Sequence, residues 1–208
     1  MTPGALPAPP NYRPAVEQWV AKHLDGLFTG PAAGSRHFRG GRLAARAALD
    51  AYDVSGYAQQ RNEVSPPSRR GASQLSPYIR HGLLQLPEVW DAVAGGPHRD
   101  VRKFRDELLW QEYARHLYAR VGRATAQPLR FRRTRPPEQD ASWPDGMACI
   151  ANNLRELDED GWIVNQTRMW LAAHWVNLSN GDWRRGEDRF FANLLDGSRA
   201  ANRLGWQW

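Results

Sequence analysis

Three observations predict an all-α fold for this 208-residue chain. Apolar residues recur at spacings of three and four in several separate segments, which places them on single helix faces. No strand pattern of any length occurs, and nowhere does a strand lead through a glycine turn into a helix. A chain of this length buries one hydrophobic core without needing a second.

Residues 1–14 are rich in proline and small residues and predict a flexible arm. Val16, Trp19, Val20, Leu24 and Leu27 then give a short amphipathic helix, followed over residues 30–41 by a loop with two glycine clusters. The alanine-rich stretch 42–52 predicts a helix whose small side chains permit close packing. Residues 57–71, YAQQRNEVSPPSRRG, form a polar loop broken by two prolines. That loop leads into ASQLSPYIRHGLLQLPEVW, where Ser73 and Ser76 bracket a helix start ahead of Ile79 and Leu83. Hydroxyls and free N–H groups at such a start suit a phosphate, but simple capping is the better explanation of the spacing alone.

Residues 101–121 predict the longest helix, with Phe104, Leu108, Tyr113, Leu117 and Val121 as its apolar stripe. Glu107 and Trp110 lie three apart and project as neighbours. Residues 128–145 are a basic, proline-containing connection that includes RFRRTRPP, suited to solvent or to phosphate. Residues 147–160 predict a helix on Ile150, Leu154 and Leu157, stopped by Gly161. A second, largely apolar helix is expected from Trp162 onward, in which Asn165 and Arg168 need partners. Asp182 is a good N-cap for a last helix carrying Phe190, Phe191, Leu194 and Leu195 on one face, ended by Asp196 and Gly197. Residues 198–202 then read as a small-residue turn. Trp206 and Trp208 flank Gln207, and a tryptophan cluster argues for packing against something large and flat.

Composition narrows the chemistry. The single cysteine, Cys149, excludes an internal disulfide framework and argues against a thiolate zinc site. His23, His37, His81, His98, His116 and His174 show no metalloprotease spacing, and neither a nucleophile elbow nor a Walker loop is present. No metal site is expected. No apolar run approaches a membrane span, and the N-terminus lacks the basic and apolar regions of a signal peptide, so a cytoplasmic protein is expected. The net charge is +6 and every basic residue except Lys22 and Lys103 is arginine. A GC-rich genome accounts for the arginine preference but not for the net excess, which fits a phosphate-backbone partner.

The segments DWRRGEDRFF, LLDG and AANRLGWQW, in that order, closely resemble the flavin-binding domain of the DNA photolyase and cryptochrome family. FRDELLWQEYARHL is similar to the family's E-L-x-W-R-E-F motif, the ASQLS segment to its S-x-L-S phosphate segment, and Asn165, Arg168 and Met169 to its N-x-x-R-M pattern. The resemblance runs from about Arg42 to Trp208. It implies FAD as cofactor, with Tyr57, Ser73, Gln74, Leu75 and Ser76 at the pyrophosphate. It further implies Asn165, Arg168, Asp196, Ser198, Ala201 and Asn202 around the ring, with Arg168 paired to Asp196 and Asn202 beside flavin N5. Glu107, Trp110, Met169 and Trp208 would meet the DNA lesion, and Trp206 and Trp183 would relay electrons, with Trp143 available as an outer, surface member.

The activity so implied is that of a deoxyribodipyrimidine photolyase-type lyase. Light-driven electron transfer from reduced FAD would split a cyclobutane pyrimidine dimer flipped out of DNA. Damaged DNA is then the partner, a membrane is not, and a monomer is the default. Two alternatives stand beside repair: a cryptochrome-like light or redox sensor, and a truncated non-catalytic relic that binds flavin or DNA. Gln111 in place of the motif's arginine and Ser198 in place of a second acidic residue favour these alternatives. The expected organisation is an arm and short helix over residues 1–34 and a helical flavin-binding domain over 35–208. The resemblance implies that domain without the family's antenna domain and without the end of its own fold.

Overall fold

Each regular element of the chain closes its hydrogen bonds locally, as helices must. A computed structural model describes residues 5–129 and 135–207. Among them are ten α-helices, short 3-10 turns, one π turn and no strand. Two units partition the chain, one ending at Phe38 and the other running from Arg39. The first holds α1, Arg13–His23, with Pro14 in its first turn, where a missing N–H costs nothing. There the Glu17 carboxylate accepts from the Gly34 N–H at 2.9 Å and from Arg13 Nε at 3.1 Å. Those bonds hold its carboxyl below the usual range, the Gly34 bond most strongly. Leu27, expected inside this helix, is exposed beyond its end.

The second unit begins with α2, Arg42–Asp50, and the single turn α3, Tyr57–Gln60. α4, Ser76–Arg80, is only five residues long. α5, Leu86–Ala92, starts with a capping box in which Gln85 and Glu88 satisfy each other's backbone N–H. α6, His98–Val121, is the longest helix, and α7, Ala148–Asp160, ends at Gly161 in the left-handed conformation that glycine adopts without strain. α8, Asn165–Ala173, runs into the π turn His174–Leu178. α9, Trp183–Asn193, and α10, Arg199–Gly205, complete the described chain.

Packing follows the apolar faces. α6 lies against α3, α5 and α10, and α9 lies against α10. Trp143, Ile150, Leu157, Ile163, Leu171, Trp175, Trp183, Phe190, Leu194 and Trp206 form one buried cluster, which gathers four indoles into a single core.

Four sequence expectations are corrected. Tyr113 does not continue the α6 stripe: it is exposed, and Ala114 is buried in its place. Trp162, Ile163 and Val164 are buried but not helical, because the backbone there runs beside another segment, Leu195 N–H donating to the Gly161 carbonyl at 2.8 Å. α9 stops at Asn193, so Leu194 and Leu195 lie past its end. Residues 199–202 are helical rather than a turn, in keeping with the high helix propensity of Ala200 and Ala201.

Candidate functional site

Asp196 is the residue around which the candidate site assembles. Asp182 caps α9 by accepting from the Arg184 N–H at 3.1 Å, and α9 delivers the chain to the turn at residues 194–197. Arg168 on α8 meets that turn: its Nη2 donates to Asp196 Oδ2 at 2.9 Å while its Nε donates to the Ile163 carbonyl at 3.0 Å. The Asp196 side chain is only 7% exposed. Its second oxygen, Oδ1, is buried with no protein donor among the described residues. A buried carboxylate oxygen in that state costs free energy unless a ligand donor reaches it. Two further buried groups nearby in the chain, the Thr167 hydroxyl and the Trp206 indole N–H, are likewise without partners.

α4 is fastened onto the same turn from a distant part of the sequence. Arg80 Nε donates to the Gly197 carbonyl at 2.7 Å, and His81 Nε2 lies 2.8 Å from the Leu195 carbonyl. The C-terminal end of α4 is thereby tied to the turn that carries Asp196, and the segment Ser73–Ser76 leads into α4 at its other end. Ser73, Gln74 and Leu75 precede α4 rather than lying within it. Gln74 has φ of 57°, which turns the backbone sharply, and Ser73 Oγ accepts from the Leu75 N–H at 3.4 Å. The Ser76 hydroxyl accepts from the Trp162 indole at 3.2 Å, so one of its lone pairs is already used. Leu75 is fully buried and serves as packing.

Tyr57 begins α3, and the loop after that turn is closed by the Gly71 N–H, which donates to the Gln60 carbonyl at 3.1 Å; the Tyr57 side chain itself faces Phe104. Its ring stands edge-on to Phe104 with centroids 5.1 Å apart. Burial pushes its hydroxyl well above the ordinary tyrosine range, and the Glu107 charge adds to that. Asn202 on α10 donates through Nδ2 to the Glu187 carbonyl at 2.8 Å. Trp206 packs edge-on against Phe190 at 4.9 Å and fills the space above Gly186, where a Cβ would come within 2.2 Å of its ring. Ser198 precedes α10 without capping it through its side chain, while Ala201 and Asn165 are exposed. Asn165 Nδ2 lies 3.9 Å from the Met169 sulfur.

The lesion candidates are arranged differently. Glu107 on α6 pairs with Lys103 Nζ at 2.9 Å and with Arg61 Nε at 3.4 Å. Trp110 is 55% exposed and stands edge-on to Tyr113 at 5.6 Å. Met169 is half-exposed on α8. Trp208 and residues 130–134 of the basic connection lie outside the described residues. Trp183 is buried at the start of α9. Trp143 is not a surface residue: it is 7% exposed, its ring 4.3 Å from that of Trp175, its indole N–H bonded to the Leu171 carbonyl at 3.1 Å.

Several residues that hold the site escaped the sequence reading. Arg80 and His81 bind a turn more than a hundred positions away, and no local spacing announces such a bond. Glu187, 2% exposed, accepts from Arg199 at 2.9 Å and from Arg203 at 3.3 Å, which locks α10 to α9. Lys103 was legible, since a lysine four residues before a glutamate is a helical ion-pair spacing.

The family model described as the FAD binding domain of DNA photolyase matches residues 104–208. A deoxyribodipyrimidine photo-lyase of Thermus thermophilus is 34% identical over 181 residues, covering 81% of this chain and 42% of that relative. The chain therefore spans less than half the length of that curated relative. Among solved structures, a bacterial class III photolyase from Agrobacterium tumefaciens superposes with a TM-score of 0.66 at 26% identity, covering 85% of this chain and 38% of the other. A cryptochrome from Synechocystis shares the fold, with a TM-score of 0.74 at 22% identity over 86% of this chain and 40% of that one.

Proposed function

The chain belongs to the family of the FAD-binding domain of DNA photolyase, and from that premise we propose that it binds FAD and directs light-driven electron transfer to pyrimidine dimers in DNA. The observation that carries the proposal is the Arg168–Asp196 pair with its unpartnered, buried Oδ1. A flavin ring presents an imide N–H, the type of donor that such an oxygen lacks. Arg168 fixes the carboxylate, while Arg80 and His81 fix the turn that carries it. Ser73, Gln74, Leu75 and Ser76, with Tyr57 behind them, would hold the pyrophosphate. Asn165, Ser198, Ala201 and Asn202 would border the ring.

When bound and reduced, the flavin supplies a one-electron donor under light. The chain's own residues do the rest. Glu107 would hydrogen-bond a flipped-out dimer, and Trp110, Met169 and Trp208 would pack against its faces, as aromatic platforms do for unstacked bases. Trp183 and Trp206, both buried in one core, would relay electrons to the cofactor site to reduce the flavin.

One observation favours a second reading, a flavin light sensor without repair. The Glu107 carboxylate already faces two cations, which compete with a lesion for it.

Refolding in excess FAD followed by size exclusion tests the cofactor assignment. Flavin absorbance is expected to co-elute with the protein, and Asp196→Ala is expected to lower the retained fraction at least tenfold. Protein eluting free of flavin overturns the proposal. Illumination of the reduced, flavin-loaded protein with a dimer-containing oligonucleotide separates the two activities: restored thymines support repair, and intact dimers leave the sensor.

A further inference from the structure

Trp143 and Trp175 stand outside the Trp183–Trp206 relay, yet they adjoin it. Both are buried, with ring centroids 4.3 Å apart. Trp175 sits on the π turn His174–Leu178, and Gly181 makes room for it, since a Cβ there would come within 2.4 Å of the indole. Such π turns are frequent at functional positions. This one delivers the Trp175 indole N–H to the Asp182 carbonyl at 2.8 Å. That carbonyl is bonded to the Trp183 nitrogen, so one hydrogen bond and one peptide bond join the two residues. All of these indoles share one core with Trp206.

An indole that loses an electron becomes a cation, and its neighbours decide whether the charge stays. The Arg184 guanidinium lies 5.2 Å from the Trp183 ring, and that of Arg189 lies 5.3 Å from the Trp143 ring. Each attracts a neutral ring and repels an oxidised one. Asp158 offsets Arg189 at 3.1 Å, whereas Asp182 stands 4.0 Å from Arg184 and offsets it less. Among the described residues no guanidinium stands over Trp175. A positive charge on Trp183 is therefore driven toward Trp175, where the Trp143 ring lies close enough to share it. The protons stay in place. The N–H of Trp175 and that of Trp143 both donate to backbone carbonyls, of Asp182 and Leu171, and a carbonyl oxygen is too weak a base to take a proton from an oxidised indole.

We propose that Trp175 extends the relay beyond Trp183 and that the Trp143–Trp175 pair is where the positive charge comes to rest. Once Trp206 and then Trp183 have passed an electron toward the cofactor site, one electron moves from the pair to oxidised Trp183. Trp183 is restored, and the pair is left one electron short with both N–H bonds intact. The missing electron returns from the cofactor side or from a small thiol in solution. The relay thus ends inside the core, where burial slows a soluble reductant. The proposal rests on the flavin reading given above, while the pair's capacity to hold the charge does not.

Two measurements keep these apart. In the first, flavin-free, a ruthenium polypyridyl photo-oxidant is attached to Cys149, the single cysteine and an exposed one, and is oxidised by a flash in the presence of a soluble electron acceptor. Transient absorption is expected to show the protonated indole radical cation, decaying equally in H2O and D2O. The Trp143→Phe, Trp175→Phe double variant is expected to lose most of that signal. An undiminished signal, or the spectrum of a deprotonated indole radical, overturns the resting site. The second measurement flashes flavin-loaded protein. Trp175→Phe is expected to shorten the lifetime of the oxidised indole about tenfold, because the charge then stays on Trp183 beside Arg184. Arg189→Gln removes the cation over Trp143 and is expected to lengthen that lifetime several-fold, an effect that lost packing does not produce. An unchanged lifetime in Trp175→Phe overturns the extension. Should that variant not fold, Arg189→Gln decides, and an unchanged or shortened lifetime there overturns it as well. Protein that retains no flavin refutes the flavin reading, and the first measurement then decides on the pair.

Discussion

Carboxylates meet arginines in two regions of this molecule, and the surroundings give those meetings different physical worth. Around α9 and α10 the carboxylates of Glu187 and Asp196 are buried, although Arg199 also reaches the exposed Asp188. Glu187 is enclosed between Arg199 and Arg203, and Asp196 is held by Arg168 with one oxygen left over. On the first half of α6 the pairs face water, and Glu107 shares itself between Lys103 and Arg61 in reach of solvent. Exposed pairs contribute little and can be exchanged, whereas a buried charge that loses its partner is costly. The comparison teaches that the buried region is built to hold one geometry and the exposed region to change partners.

Breaking the buried side gives the largest expected effect. Glu187→Ala removes the acceptor of two guanidiniums, and α10 then lies against α9 with Arg203 largely enclosed and uncompensated. A loss of about 3 kcal/mol in urea unfolding is expected, within the range for breaking a buried pair. A loss below about 1 kcal/mol would show that the arginines relax into solvent, and the two regions would then differ less than their burial suggests.

Gly186→Ala comes next. The added methyl comes within 2.2 Å of the Trp206 ring, which cannot retreat because Phe190 packs against it and the core closes around both. Overpacking of this kind costs about 1–3 kcal/mol. The same variant is expected to shift the tryptophan emission maximum, since Trp206 must move, and an unshifted spectrum would count against the packing described.

How much of this was legible in the sequence depends on range. The helical fold class follows from local spacing, and the chain does contain only helices and turns among its described residues. Gly161 announced the end of α7, because a glycine just past an apolar-periodic run supplies the left-handed stop. Periodicity failed at residues 162–164, where three apolar residues in a row fit a buried helix and a buried extended segment alike. The bond from Leu195 to Gly161 decides between them, and it spans over thirty residues. Tyr113 misled for a related reason: amphipathic spacing finds a face but not where along a long helix a neighbour stops covering it. Of the site, the Arg168–Asp196 pair was legible through the resemblance. The bonds from Arg80 and His81 were not, since they join segments that only the fold brings together.

A smaller effect arises on heating at high pH. Burial raises the Tyr57 hydroxyl, and likewise that of Tyr52, above the ordinary tyrosine range in the folded chain. A group whose folded value is raised contributes stability that is complete below the unfolded value and is lost as pH climbs toward the folded one. Stability is therefore expected to fall progressively above about pH 10, where the unfolded chain releases these protons. Phenylalanine at both positions is expected to flatten that decline, and an unchanged slope would assign it to other groups.

The smallest stability change belongs to the exposed side, and it sharpens the comparison most. Trp110 stands out from α6 with more than half of its surface in water, touching mainly Tyr113. Truncating it to alanine removes almost no buried area, and alanine is the better helix former, so unfolding is expected to change by no more than about 0.5 kcal/mol. Binding is expected to respond differently. Stacking of a base on an aromatic ring is worth about 1–3 kcal/mol by alanine substitution, so Trp110→Ala is expected to weaken oligothymidine binding roughly five- to a hundredfold. A side chain that matters this little to folding and this much to binding is what an exposed indole proposed to pack against a flipped-out base implies. If unfolding changes and oligothymidine affinity does not, Trp110 belongs to the packing of the fold, and the contrast between the two regions loses its functional half.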